Sequence, residues 1–263
     1  VSIDGPEHLH DRFRRDTSGR GSFKAVMSGI EQLNKHKVEY NLLTVVQGDN
    51  SQYPEEVYRF LTGLGSPFIQ FIPIVEPDPL TTVSTRSVGS EQWGQFLNQV
   101  FHLWRIGDIG RIYVQYFDML LGLHLGHPAS LCVHAPTCGR GLALEHNGDL
   151  YSCDHFVDRE HFLGNIPTKS IVAMVDSPFQ RSFGQDKFAT LPDLCRNCQF
   201  LTFCFGGCPK DRLIAIDSGK LNWLCSGYKA FYQETAPYFG AMVAALRKRL
   251  PASEYLRFLK QRQ

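Results

Sequence analysis

The first half of the chain alternates between two hydrophobic periods. Residues 1–5, VSIDG, are a short β-rich run closed by the turn signal Gly5-Pro6. Phe23, Val26, Met27, Ile30 and Leu33 then recur at helical spacing, with Ser22 at the N-cap position. Val38 to Val46, VEYNLLTVV, is almost continuously apolar or β-branched, as a strand buried on both faces would be, with Asn41 as the polar interruption. Pro54 opens a second helix whose buried stripe is Val57, Phe60, Leu61 and Leu64. Phe68 to Val75, FIQFIPIV, predicts a third strand, with Pro73 at an end or an edge. A polar loop fills 76–90. Trp93, Phe96, Leu97, Val100 and Trp104 mark a third helix, and Ile112 to Phe117 a fourth strand.

Strands alternating with helices predict an α/β fold with a parallel sheet, part of a (β/α) barrel or of an open sheet, which binds ligands at the carboxyl ends of its strands. The texture changes near Gly126-His127-Pro128, so one domain is expected over 1–128 and a second over 129–263. In the second, Leu142–Leu144 and Leu150–Cys153 flank Asn147-Gly148-Asp149, a hairpin signal that would bring Cys138 and Cys153 together. Residues 168–190 read as short helices, the cysteine-rich run that follows as tight loops, and 226–248 as a helix bent near Pro237.

Net charge is +1, with 27 basic against 26 acidic residues, so charge points to neither nucleic acid nor membrane. No apolar run reaches spanning length. Arg247, Lys248, Arg249, Arg257, Lys260 and Arg262 read as a solvated helix face. The chain opens on Val1 with strand-like residues, and the expectation is a fragment whose beginning lies elsewhere.

All eight cysteines fall in the second half. Four lie in C-x2-C-x5-C-x3-C from Cys195 through Cys198 and Cys204 to Cys208, with Cys132, Cys138 and Cys153 upstream and Cys225 downstream. Disulfides fit poorly, since no signal peptide is evident and the chain is long enough for a core. Zinc competes through Cys195-x2-Cys198, although a closed four-thiolate site usually takes a second short pair. Iron–sulfur ligation fits better. The run ends in C-x3-C-P, as does the bacterial ferredoxin run, whose last cysteine ligates the other of two clusters. By that logic Cys208 joins Cys132, Cys138 and Cys153, while Cys195, Cys198, Cys204 and Cys225 form the second set.

The spacing Cys138-x9-Gly148-x4-Cys153, then C-x2-C-x5-C-x3-C, then Cys225, resembles the seven-cysteine pattern of the SPASM domain of radical S-adenosylmethionine enzymes, with Cys132 as an eighth ligand. SIDGPEHLHDRFR, VEYNLLTVV, FIQFIPIVEP and YFDMLLG (Tyr116, Phe117 and Asp118 onward) resemble the later barrel segments of anaerobic sulfatase-maturating enzymes. The resemblance implies a partial (β/α) barrel lacking its first strands, followed by a loop-rich SPASM domain with two auxiliary 4Fe–4S clusters and a C-terminal helix. The family's C-x3-C-x2-C loop is absent from this sequence. A third cluster is therefore expected in a missing N-terminal part, and the isolated fragment is expected to be inactive.

The implied reaction converts an active-site cysteine or serine of a sulfatase into formylglycine. A deoxyadenosyl radical removes a hydrogen from Cβ, a base takes the thiol or hydroxyl proton, an electron departs, and the thioaldehyde or aldehyde gives the product. The resemblance makes Asp154 the base, where a carboxylate beside a cluster and partly shielded from water gains basicity; without it, Asp154 reads as a turn cap. Ser2 and Arg14 match contacts to the ribose and carboxylate of S-adenosylmethionine, and Val75 a position near the adenine, with Arg12 and Arg15 close enough to compete with Arg14. His127, His134, His146, His155 and His161 read as surface groups or as neighbours of ligands. The implied partners are an unfolded sulfatase polypeptide and an electron donor such as flavodoxin or ferredoxin, in the cytoplasm. Two rivals stand beside this reading: another SPASM enzyme acting on a different peptide, and a cluster-bearing binding module without catalysis.

Overall fold

The computed structural model describes residues 1–259, and Lys260 and Arg262 lie outside them. The chain divides into two compact units, one of Val1–His127 with the chain from Ser226 onward, the other Pro128–Cys225.

The first unit is built on parallel strands. Strand β1 (Asn41–Val46) pairs with β2 (Phe68–Pro73) from Asn41↔Phe68 to Val46↔Pro73, and β2 pairs with the short β3 (Tyr113–Val114). On the other side of β1, Ser2 bridges Leu43 in parallel, with the Ile3 amide donating to the Leu43 carbonyl at 2.9 Å. The expected burial of β1 on both faces is met on one: Leu42, Thr44 and Val46 are buried and the alternate positions only partly so. Asn41 is exposed at the strand's start, outside the hydrophobic alternation. Pro73 ends β2, since a residue without an amide proton cannot continue the ladder.

Helix α1 (Phe23–Lys35) starts after Ser22, but Ser22 does not cap it. Its hydroxyl donates to the Arg14 carbonyl, and Asp11 instead accepts the Phe23 amide at 2.8 Å. Helix α2 (Pro54–Thr62) has proline in its first turn and buries Val57, Tyr58 and Leu61, while Phe60 is only half-buried. Tyr58 takes a core position because its hydroxyl donates to the buried Asp108 carboxylate at 2.6 Å. Helix α3 (Ser90–Gly107) buries Trp93, Phe96, Leu97, Val100, Phe101 and Trp104. The polar loop before it carries a two-residue hairpin, Pro77–Asp78 against Thr82–Val83.

Two sequence expectations are corrected here. Only Tyr113–Val114 of the expected fourth strand is extended; α4 (Gln115–His124) begins at once and buries Tyr116, Phe117, Met119 and Leu120. A short run of aromatic and aliphatic residues satisfies both periods, and packing decides between them. The second correction concerns the C-terminal helix, expected in the second domain: from Ser226 onward it belongs to the first unit. Phe101 packs edge-on against Phe117 and Phe231 and tilted against Phe239, at centroid distances of 5.4, 6.0 and 5.2 Å, so α3, α4 and the C-terminal helix share one aromatic core. The crossing is closed by glycine. A Cβ on Gly94 would stand 2.8 Å from the Gly227 backbone, and the Gly227 amide donates to Ser90 Oγ at 3.0 Å.

The second unit holds a three-stranded antiparallel sheet, β4 (Ala143–Leu144), β5 (Asp149–Tyr151) and β6 (Phe162–Asn165). The Asn147-Gly148 turn is as expected, with Gly148 at φ +88°; β6 was not read from the sequence. Helix α5 (Pro178–Ala189) is capped by Ser177, which accepts the Gln180 amide. The cysteine run, expected as loops, contains two single-turn helices, Asp193–Arg196 and Leu201–Cys204. A hairpin, β7 (Arg212–Ile216) and β8 (Gly219–Asn222), leads to the start of α6 (Cys225–Arg247), which carries Pro237 in its interior. Lys248 and Arg249 fall beyond α6, and Arg257 pairs with Glu254, so the basic residues near the end form no single helix face among the described residues.

Candidate metal centre

The apolar cluster of the second unit is small: Leu150, Leu163 and Met174, with Leu142 against them, while Leu191 and Leu224 are buried outside it. Aromatic contacts join Phe156, His161 and Phe183, and polar contacts gather around the cysteines. None of the eight cysteines is in a disulfide; Cys208 is buried, Cys132 is exposed, and the others are intermediate.

Their neighbours fall into two groups. Burial pushes the Cys208 thiol up to about 12, Asp211 adding to the effect and Cys132 further. Burial likewise pushes Cys153 up to about 12, with Asp154 and Cys208 contributing, and raises Cys138, with Cys132 contributing. In the other group burial takes Cys204 to about 12, with Cys225 and Cys195 adding to it. Cys198 follows within a turn, its amide donating to the Cys195 carbonyl at 3.1 Å. Thiols this reluctant to ionise become thiolates when a metal supplies the positive charge.

Two buried cations stand among them. Lys187 Nζ donates to the Val133 carbonyl at 3.0 Å and to that of Ala135. Arg212 donates to the carbonyls of Lys187 (2.7 Å), Phe205 (3.2 Å) and Gly206 (3.3 Å). Neither forms an ion pair with a carboxylate among the described residues. Desolvation brings the Lys187 ammonium down to about 8, the thiols of Cys138, Cys204 and Cys132 opposing the fall. Seven thiols in two neighbour groups, with Cys198 a turn from Cys195 and two buried cations that no carboxylate pairs among the described residues, suit metal clusters of net negative charge held by thiolates.

Sequence reasoning left the histidines undivided; the structure separates them. His134 is buried, its Nδ1 donating to the Phe203 carbonyl at 3.1 Å, and desolvation takes it down to about 3, so the ring is neutral. It thereby ties the Cys132 segment to the one carrying Cys204. His155 Nδ1 lies 3.2 Å from Cys208 Sγ, and ligand atoms of Cys153, Asp154 and His155 lie within 4.8 Å of one another. Asp154 Oδ1 accepts from Cys153 Sγ at 3.1 Å. The shielding expected for Asp154 is not provided by this chain, because the turn after β5 leaves it exposed.

In the first unit, the sequence-matched residues attach to the sheet separately. Ser2 is exposed where it bridges Leu43 of β1. Val75 is buried just past β2, where the Ile74 amide donates to the Val46 carbonyl. Arg14 donates from Nε and Nη2 to the two oxygens of Asp4 at 2.5 and 3.1 Å, and Asp4 accepts the Val45 amide at 2.9 Å. Arg14 and Val75 are thus fixed to the carboxyl ends of β1 and β2. The competing arginines are engaged elsewhere, Arg12 with Asp49 at 2.7 Å and Arg15 with the Gly19 carbonyl at 3.0 Å.

Comparison with known proteins agrees with this arrangement. Residues 132–199 match the SPASM family, an iron–sulfur cluster-binding domain. The chain is 39% identical over 277 aligned residues to a serine-type anaerobic sulfatase-maturating enzyme of Bacteroides thetaiotaomicron, covering 99% of this chain and 67% of that protein. It is 32% identical to a cysteine-type enzyme of Clostridium novyi, covering 89% of this chain and 63% of that one. A solved structure, native anSMEcpe with bound AdoMet and the Cp18Cys peptide, superimposes with a TM-score of 0.84 at 27% identity, over 94% of this chain and 69% of that one. The chain thus spans about two thirds of the length of these relatives. Similarity that runs from the parallel sheet through the thiol-rich unit settles the family: the chain belongs to the anaerobic sulfatase-maturating enzymes.

Proposed function

We propose that this chain works in an enzyme that oxidises a serine or cysteine of a sulfatase polypeptide to formylglycine by radical S-adenosylmethionine chemistry. The observation that carries the reading is the gathering of thiols into two neighbour groups, Cys132, Cys138, Cys153 and Cys208 in one and Cys195, Cys204 and Cys225 in the other, with Asp154 and His155 against the first. Cys132, Cys138, Cys153 and Cys208 hold one 4Fe–4S cluster, and Cys195, Cys198, Cys204 and Cys225 the other. When bound, the clusters supply one-electron chemistry for the electron that leaves the substrate.

Asp154 takes the substrate's hydroxyl or thiol proton on a carboxylate oxygen. Its Oδ1 accepts the Cys153 S–H here; a Cys153 serving as a thiolate ligand has no proton to donate, which leaves Oδ1 open for the substrate. Exposure of Asp154 suits a base that must meet a polypeptide. Arg14, aimed by Asp4 through two of its nitrogens, keeps Nη1 for the carboxylate of S-adenosylmethionine. Ser2 contacts the ribose, and Val75 offers an apolar surface to the adenine. A flavodoxin or ferredoxin exchanges electrons with the enzyme in the cytoplasm, the reducing compartment that thiolate-ligated clusters favour. No helix among the described residues is long and apolar enough to cross a membrane.

The test is Asp154→Asn in the intact enzyme, at verified iron content, with deoxyadenosine release and conversion of serine- and cysteine-containing peptides measured together. Cleavage of S-adenosylmethionine should persist while formylglycine falls by about 10²–10⁴-fold, the usual contribution of a positioned base. Equal loss of both, or of neither, rules out the base.

A further inference from the structure

The buried residues of α5 are Gln180, Gly184 and Lys187, at i, i+4 and i+7 and hence on one face. A surface helix ordinarily buries an apolar stripe. This one buries an amide, a bare stretch of backbone and an ammonium, which between them reach the chain beside three cysteines. Gln180 Nε2 donates to the Gly139 carbonyl at 2.7 Å and to the Ser152 carbonyl at 3.1 Å, the residues directly after Cys138 and before Cys153. The Gly184 carbonyl accepts the Cys138 amide at 3.2 Å, and a Cβ at 184 would fall 2.6 Å from the Cys138 carbonyl oxygen. Lys187 donates to the carbonyls of Val133 and Ala135, one and three residues after Cys132. Three upstream cysteines, spread over 22 residues of chain from 132 to 153, are thereby gathered on one side of one helix.

We propose that this polar face of α5 is the positioning device for the cluster held by Cys132, Cys138, Cys153 and Cys208, with Gln180 and Gly184 setting the ligand spacing and Lys187 supplying the countercharge. The inference rests on the cluster reading given above. Lys187 is 1% exposed and its bonded partners are neutral carbonyls. A buried ammonium so placed is destabilising until a negative group lies near it, and a thiolate-ligated cluster is such a group. The same charge favours the more negative, reduced cluster and so raises its potential.

The test uses the 263-residue chain reconstituted anaerobically with iron and sulfide. Wild-type protein should bind about eight irons; if it binds none, the cluster reading itself fails, whatever the variants do. Lys187→Gln keeps a hydrogen-bond donor and loses the charge. It should shift one cluster's midpoint, followed by electron paramagnetic resonance, to a more negative value or lose about half the iron. Lys187→Arg should restore whichever property was lost. Gly184→Ala should lose about half the iron through displacement of Cys138. Gln180→Ala should release iron faster to a chelator with the potential unchanged, a split that a merely structural helix would not give. A Lys187→Gln protein with wild-type iron and potential, a Lys187→Arg protein as impaired as Lys187→Gln, or full iron retention in Gly184→Ala overturns the proposal.

Discussion

The two units solve the problem of cohesion in opposite ways. In the first, α3, α4 and α6 interleave Phe101, Trp104, Phe117, Phe231 and Phe239, each at most 2% exposed, and burial of aromatic surface holds them. In the second, the apolar cluster is three buried residues, with Leu191 and Leu224 buried apart from it, and helix, loop and hairpin are joined by an amide, an ammonium and a guanidinium reaching backbone carbonyls. Each such bond contributes little net stability, because the unfolded chain makes equivalent bonds to water. The first unit carries its stability in its side chains; the second is organised to receive it from metal.

The strongest way to break this contrast is to remove the metal. Chelation should abolish amide-exchange protection across 128–225 while α3 and α6 stay protected, since metal binding to thiolates is worth on the order of 10 kcal/mol of folding free energy. Protection in the second unit that survives loss of iron would erase the distinction. Next in size, Phe101→Ala should lower the stability of the first unit by about 3–5 kcal/mol, seen in a denaturant titration, with iron content unchanged. Gly94→Ala should cost about 1–3 kcal/mol in the same assay, because the added methyl must push back the Gly227 backbone.

The smallest effect is a pH dependence. His124 stacks on Phe239 at 5.3 Å, and burial lowers its imidazole below the ordinary 6.5. The unfolded chain therefore binds the extra proton first as pH falls. Its contribution is complete above 6.5 and declines below that value, so His124→Gln should flatten the acid side of the first unit's stability curve. An acid limb unchanged in that variant would show that the ring's burial has no such cost.

The sequence disclosed the two units unequally, for the same physical reason. Apolar periodicity reports side chains that pack on each other, and it located α2, α3, β1 and β2 closely. It misplaced Gln115–Phe117, where a short apolar run obeys both periods, and it assigned α6 to the wrong neighbours because spacing alone does not say which face a helix meets. In the second unit the cysteines were legible, since ligand spacing is a local property of the chain. The residues that seat them were not. Gln180 and Lys187 act on carbonyls 28 to 54 positions away, and a carbonyl has no letter in the sequence. His155 beside Cys208 could be sought only once those two segments were known to meet.

The return of α6 to the first unit also bears on how the protein is made. Gly94 closes against Gly227, a residue that leaves the ribosome 133 positions later, after the whole thiol-rich segment has been translated. At about 5–20 residues per second, the aromatic face of α3 stays without its partner for roughly seven to twenty-seven seconds. During that interval eight unligated thiols emerge beside an open hydrophobic surface. Nascent chains of this protein should therefore lean on chaperones and be sensitive to iron supply during synthesis, before any question of turnover arises.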